Sequence, residues 1–258
     1  MNTHRVLKIS SCLIISLLLF SCHSKKKTEK LNIFAAASLK DVLSETAEVY
    51  KKKSGVELSL NFASSGLLAR QIEQGAEVDF FFSANLDWVD YISEKKLLLA
   101  SSKIALAENR MALIVPNCSR LKKLQTIDAS EFPSLLEGRL ALGDPGHVPA
   151  GKYAKEILHH YKLWSQFEER LLPCKNARET LLMVEMGEVD LGIVYLSDAK
   201  KSNKVRCIYE FPEASSSPIL YYSAHRTKPD SKIRDFQKFL SQSESKRIWK
   251  EYAFIVHD

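Results

Sequence analysis

The chain has 258 residues, 45% hydrophobic and 26% charged, with a formal net charge of +6. Residues 1–30 hold six of the 37 basic residues but one of the 31 acids, which leaves 31 against 30 in the remainder. A neutral body excludes a nucleic-acid-binding face, and residues 31–258 suffice for one large domain or two small ones.

The N-terminus reads as an export signal. Arg5 and Lys8 precede the apolar run Leu13–Phe20, which falls short of the roughly twenty residues a membrane span needs. The run ends in "LFSC", Leu19–Cys22, which resembles the lipobox of bacterial lipoproteins, where the peptide is cut before a cysteine that then carries lipid. Residues 1–21 are thus a signal peptide and Cys22 a lipid anchor. The charged, aperiodic stretch 22–30 is a tether, and the domain sits on the periplasmic or cell-surface side of a bacterial membrane. Cys118, Cys174 and Cys207 remain, without a C-x-x-C pair to suggest zinc or redox chemistry. A disulfide is compatible with export; three buried small side chains is the simpler expectation.

From Leu31 onward, short apolar runs alternate with helical periodicity. Leu31–Ala36 reads as a buried strand, followed by a helix carrying Leu39, Val42, Leu43, Thr46, Ala47 and Tyr50 until Ser54-Gly55 stops it. Val56–Phe62 is strand, Gly66–Gln74 helix, Val78–Ser83 strand and Leu86–Leu98 helix, with Trp88, Tyr91 and Ile92 as core. Met111–Pro116 and Arg139–Asp144 are strands, and helices follow at Ala150–His160, Leu163–Leu171 and Ala177–Met186. Val189–Tyr195, Val205–Phe211 and Ile219–His225 are strands, before closing helices at Ser231–Leu240 and Glu244–Tyr252. This alternation predicts an α/β fold with mostly parallel sheets flanked by helices. Two segments echo each other, Ala69–Ser83 and Ala177–Tyr195: a helix opening on Ala-Arg, a glycine, then Glu-Val-Asp and a strand. The echo suggests two lobes of related build, with crossings at Pro212–Pro218 and near Ala107–Arg110.

Five places share small or polar residues where a strand gives way to a helix. Ser38-x-x-Asp41 resembles a capping box. Ser64-Ser65-Gly66 lies before a helix, Pro149-Ala150-Gly151 opens one with proline suited to its first turn, and Asn176 precedes Ala177 as an N-cap. The fifth is "GIVYLSD", a strand running into Tyr195. Each has a plain capping or structural explanation. Together they offer unpaired N–H groups and positive dipole ends at the carboxyl edge of the strands, a setting for an anion held by neutral donors. Gly146, Gly151 and Lys152 also match most of the phosphate loop G-x-x-x-x-G-K-[ST], but Tyr153 stands where the hydroxyl ligand for Mg²⁺ belongs. His159-His160 point to different helix faces and make a poor metal pair. Neither Ser64 nor Ser65 sits in a G-x-S-x-G nucleophile motif.

The stretches "FAAASL", "FASSGLLARQIEQGAEVD", "FSANLDWVDYISEKKLL", "GDPGHVPAGKYAKE" and "LGIVYLSDA" are similar to those of the molybdate-binding proteins of ABC importers. These are periplasmic oxyanion receptors with a two-lobed type II binding-protein fold, and the similarity runs from about Leu31 to the C-terminus. It implies residues 31–108 plus 213–258 as one lobe, 109–212 as the other, and a ligand in the cleft between them. By position, the family's donors fall on the hydroxyls of Ser38, Ser65 and Tyr195 and on the main-chain amides of Ala150 and Ala177. Ser38 and Ser65 would belong to one lobe, Ala150 and Ala177 to the other, with Tyr195 arriving near closure.

The resemblance implies high-affinity binding of molybdate and tungstate and delivery to an integral-membrane permease driven by a separate ATPase. It implies a monomer that is no enzyme and has no cofactor, no free metal cation and no nucleic-acid partner. A site of neutral donors senses charge, geometry and size, so sulfate is refused for its shorter bonds. Phosphate is refused because its proton finds no acceptor unless Asp41 or Asp144 supplies one; capping and loop-fixing suit those two better. The alternatives are a receptor for another tetrahedral oxyanion such as sulfate, or an enzyme acting on phosphate or sulfate esters.

Overall fold

The computed structural model describes residues 29–135 and 138–256; the leader, Cys22 and most of the tether lie outside them. Strand β1 (Lys30–Ala36) buries Leu31, Ile33 and Ala35. Helix α1 (Lys40–Ser54) buries Val42, Leu43, Thr46, Ala47 and Tyr50, one stripe at helical spacing, and ends at Gly55. The chain continues through β2 (Glu57–Ala63), α2 (Ser65–Glu73), β3 (Phe80–Ser83), α3 (Leu86–Glu94), β4 (Ile104–Glu108), β5 (Met111–Pro116) and β6 (Leu140–Gly143). Then come α4 (Pro149–His160), α5 (Trp164–Phe167), β7 (Leu171–Cys174), α6 (Ala177–Glu185), β8 (Leu191–Tyr195) and α7 (Leu196–Lys201). Strands β9 (Val205–Glu210) and β10 (Leu220–His225) and helices α8 (Ser231–Leu240) and α9 (Ser243–Glu251) complete it.

The strands form two five-stranded sheets, in the orders β2-β1-β3-β10-β4 and β7-β6-β8-β5-β9. In each, the first three strands run parallel and the fourth is antiparallel to both neighbours. The two orders superimpose strand for strand: β1 corresponds to β6, β2 to β7, β3 to β8 and β10 to β5. This is the two-lobed build suggested by the echo. Each sheet is mixed, however, with two parallel and two antiparallel pairings and not mostly parallel, because β10 and β5, the strands next to the crossings, run against their neighbours. The chain passes from the first sheet to the second through Asn109 and Arg110 and returns between β9 and β10. Arg110 meets Glu213 at 2.8 Å, joining the two crossings.

Several local expectations are revised. Strands β4 and β7 were not anticipated, and the expected helix Leu163–Leu171 is one turn, α5, followed by a 3₁₀ turn at Glu168–Arg170. Both strands lie at sheet edges, where no further strand is needed on the outer side and a short, half-exposed segment suffices; β4 gains there a single bridge from Glu108 to Ile255. Pro173, which lacks an N–H, is tolerated in β7 for the same reason. The echoed helices are α2 and α6, nine residues each, so Ser65 is the counterpart of Ala177. Ala69-Arg70 lies inside α2 and does not open it, one helical turn away from the register of the echo. Of the cysteines, Cys174 is buried, Cys207 half-buried and Cys118 exposed, and all three are free. Ile92 is core, whereas Trp88 and Tyr91 are half-buried beside the interlobe cleft.

Candidate oxyanion site

The site is built where five strands of the two sheets end. After β1 the chain makes a 3₁₀ turn, Ala37–Leu39, in which Ser38 is buried and its Oγ lies 3.0 Å from the Tyr221 hydroxyl. No side chain caps α1, so the expected capping box is absent. Asp41 reaches instead across the cleft to Arg178. Burial holds the Tyr221 phenol protonated, well above its ordinary pKa. Tyr221 can therefore donate to Ser38, which keeps its own proton for a ligand.

After β2, Ser64 caps α2 by accepting from the Leu67 N–H at 3.3 Å. Ser65, the first residue of that helix, is fully buried and accepts from the Ala84 N–H at 3.2 Å. A hydroxyl that accepts from an amide still has a proton to give. Gly66 then donates its N–H to the His147 carbonyl of the other lobe at 3.1 Å. A Cβ at this position would lie 2.5 Å from that oxygen and 2.6 Å from the Trp88 ring; a side chain here would hold the lobes apart.

The second lobe supplies main-chain donors. Pro149 begins α4 with Ala150 behind it, and Asn176 caps α6 through its Oδ1, which accepts from the Glu179 N–H at 2.9 Å. The first amides of a helix have no intrahelical acceptor, so those of Ala150 and Ala177 are open to a ligand. Gly151 lets α4 start against the end of β6, since a Cβ there would fall 1.9 Å from the Gly143 carbonyl oxygen. Asp144 fixes the loop between them by accepting from the Gly146 N–H at 2.8 Å.

Tyr195 ends β8 with 1% of its surface exposed. Its hydroxyl has no hydrogen-bond partner. The Tyr221 ring centroid is 5.7 Å away, close enough for the two phenols to influence each other. Burial, and then Tyr221, raise the Tyr195 pKa far above its ordinary value, so it is a neutral donor at any physiological pH. A buried hydroxyl without a partner costs about 1–3 kcal/mol. That cost points to a ligand.

Ser38, Ser65, Ala150, Ala177 and Tyr195 line one cavity of about 10 Å³ between the lobes. Its remaining walls come from neighbours such as Ala84, Val148 and Asn176, and no charged side chain lines it among the described residues. That is room for about one water, so an anion entering here would have to shed its hydration shell and part the walls slightly, and would then meet uncharged N–H and O–H groups.

The near phosphate loop does other work. Lys152 extends away from the cavity to Asp87 of the opposite lobe at 2.5 Å, and Tyr153 is buried with its hydroxyl donating to the Ala84 carbonyl at 3.3 Å.

A charged cluster beside the cavity carries no signal readable from sequence spacing. Arg178, next to Ala177, places Nη2 2.5 Å from Asp41 Oδ2 and Nε 3.2 Å from Asp198 Oδ1. Asp198 is 1% exposed, and neither of its oxygens accepts a hydrogen bond. Desolvation raises its pKa to about 7, against the opposing pull of Arg178 and with help from Asp41. For Arg178 burial works against the charge, but Asp198 and Asp41 outweigh it and keep the guanidinium protonated. Asp41 thus has a carboxylate role, but toward Arg178 and not as an acceptor in the cavity.

The comparisons with known proteins agree with this geometry. Residues 31–255 match the family described as bacterial extracellular solute-binding protein. The molybdate-binding protein ModA of Haemophilus influenzae is 37% identical over 97% of this chain and 98% of its own length. ModA of Escherichia coli is 38% identical over 88% and 89%. In structure, the periplasmic molybdate-binding protein of Azotobacter vinelandii superimposes with a TM-score of 0.77, covering 88% of this chain and all of that one. At 19% identity it speaks for the fold alone. Paired sheets of identical order, a cavity lined by open neutral donors, and a family match along the folded chain agree: this protein belongs to the bacterial extracellular solute-binding proteins.

Proposed function

We propose that this protein captures molybdate, and tungstate with it, outside the cytoplasm and delivers it to the permease of an ABC importer whose separate ATPase supplies the energy. The observation that carries the reading is the buried, unpartnered hydroxyl of Tyr195, facing a cavity that the open donors of both lobes share. Two relatives at 37% and 38% identity carry the name of molybdate-binding protein, which supports the choice of anion. Ser38 and Ser65 would bind from the lobe of residues 31–108 plus 213–258, and Ala150, Ala177 and Tyr195 from that of residues 109–212. Cys22 would anchor the monomer to the membrane by lipid.

Neutral donors suit a dianion that carries no proton. Hydrogen bonds to a charged group contribute roughly 1.5–3 kcal/mol each, so several offset the dehydration of the anion without a cation in contact with it. The anion supplies the extra affinity for the closed arrangement that shifts the lobes toward it. Phosphate would bring a proton to a cavity without a carboxylate to accept it. Tungstate, nearly the same size as molybdate, would bind as well.

The test is equilibrium titration with molybdate. Tyr195→Phe should weaken binding by about 10- to 150-fold, the loss of one charged hydrogen bond. Lys152→Ala should stay within about threefold of the parent, since Lys152 pairs with Asp87. A dominant loss from Lys152→Ala with little from Tyr195→Phe would overturn neutral-donor capture.

A further inference from the structure

Each residue of the charged cluster sits close in sequence to a residue of the cavity. Asp41 follows Ser38 by three, Arg178 follows Ala177 by one, and Asp198 follows Tyr195 by three. The cluster is also divided between the lobes. Arg178 on α6 and Asp198 on α7 belong to the second sheet's lobe, and Asp41 on α1 to the first. We propose that these three residues form a latch: Asp198 aims the Arg178 guanidinium within its own lobe, and Asp41 receives it only when the lobes close. This rests on the capture reading above and adds a residue set, outside the anion's contacts, that governs how long the anion stays.

The physical case is one of preorganisation. An exposed ion pair between two freely moving side chains contributes little, because ordering them offsets the attraction. Arg178 is already in contact from behind with Asp198, which is 1% exposed and 3.2 Å from Nε, and its planar fork can engage the Asp41 carboxylate from the other edge. In an opened cleft Asp41 would return to water at small cost, while the Arg178–Asp198 pair would remain. The latch therefore stabilises the closed arrangement selectively. Lys201 on α7 reinforces the same seam, with its ammonium 3.9 Å from the Tyr252 ring, whose hydroxyl donates to Glu45 on α1 at 2.7 Å.

The residue to change is Asp41, because Arg178 substitutions leave Asp198 buried without a partner and threaten folding. Stopped-flow chase of bound molybdate from Asp41→Asn should show release about tenfold faster, equivalent to about 1.4 kcal/mol. Association should hold within about twofold, and the melting temperature of the ligand-free protein should not change. Asp41→Glu should recover most of the slow release. A purely structural role would instead lower the ligand-free melting temperature and spare the ratio of the two rates. Small-angle scattering of the ligand-free proteins needs no anion, and there Asp41→Asn should have a larger radius of gyration than the parent. Equal release and equal radii would overturn the latch. Failure of the parent to bind molybdate would sink the capture reading, and the radii alone would then decide the latch: a larger radius in Asp41→Asn supports it and equal radii overturn it.

Discussion

The helix starts at Ser65 and Ala177 occupy equivalent places in the two lobes and serve the cavity by different chemistry. Each opens a nine-residue helix, α2 or α6, and each follows a residue whose side chain caps that helix, Ser64 or Asn176. Each lines the cavity. Ser65 brings a side-chain hydroxyl, itself tied to the Ala84 amide, while Ala177 can offer only its backbone. The topology fixes where a donor stands, and the side chain decides only which atom donates. A hydroxyl can be deleted by substitution, whereas an amide survives almost every substitution.

The sharpest way to break this comparison is to remove the one amide. Proline is tolerated at the first position of a helix, where its missing N–H had no partner in the helix, and the extended Asn176 before it suits a following proline. Ala177→Pro should lower molybdate affinity by about 10- to 150-fold while the ligand-free protein melts near the parent temperature. Ser65→Ala should cost as much in affinity and also lower ligand-free stability, because the buried Ala84 amide loses its acceptor. Calorimetric titration and thermal unfolding of both variants separate the two outcomes. Equal loss of ligand-free stability in the two would contradict the division between hydroxyl and amide.

A smaller effect is expected from the caps. Ser64→Ala and Asn176→Ala should each destabilise the protein by about 1 kcal/mol, measured by urea denaturation, with modest losses of affinity. Smallest is Ala177→Val, which should bind within about threefold of the parent, since the donor is unchanged. A tenfold loss in that variant would mean that the side chain at this position, and not the amide, is read.

The charged cluster gives a pH dependence. The Asp198 pKa rises from 3.8 to about 7 on folding, first through desolvation, so the folded chain retains a proton there that the unfolded chain has released. Stability from this group is complete below the unfolded value and is lost as pH rises to about 7. The groups facing it are Arg178 on α6, Asp41 on α1 and Lys201 on its own helix, with Tyr221 of β10 behind. Melting temperature followed from about pH 5 to 8 should decline less steeply in Asp198→Asn than in the parent. Parallel slopes would show that Asp198 titrates as an ordinary surface carboxylate.

Central elements were legible in the sequence because their patterns are local. The stripe of α1 and the all-buried Phe80, Phe81 and Phe82 of β3 declare themselves, as do Pro149 at the head of α4 and the Asn176 cap. The edge strands β4 and β7 did not, since an edge needs neither a long apolar run nor both ladder sides. The positions of all five cavity residues followed from family resemblance, and the strand ends explain why they converge. What sequence could not reach are bonds between distant residues. Asp41 looked like a capping acid because Ser38 lies three residues before it, yet its partner is 137 residues away. The burial of Asp198 similarly depends on elements from both lobes.

Capture of a tetrahedral dianion by neutral donors is tested most directly by thermal unfolding of residues 31–258 with excess molybdate, tungstate, sulfate, phosphate or ATP in parallel. At 1,000 times its dissociation constant a ligand adds about 4 kcal/mol of stability, which for a domain of this size is roughly 8–16 °C. Molybdate and tungstate should give that rise, and sulfate, phosphate and ATP should leave the melting temperature unchanged. A rise with sulfate or phosphate alone would keep the fold and contradict the anion; a rise with ATP alone would contradict the account and return attention to Gly151-Lys152.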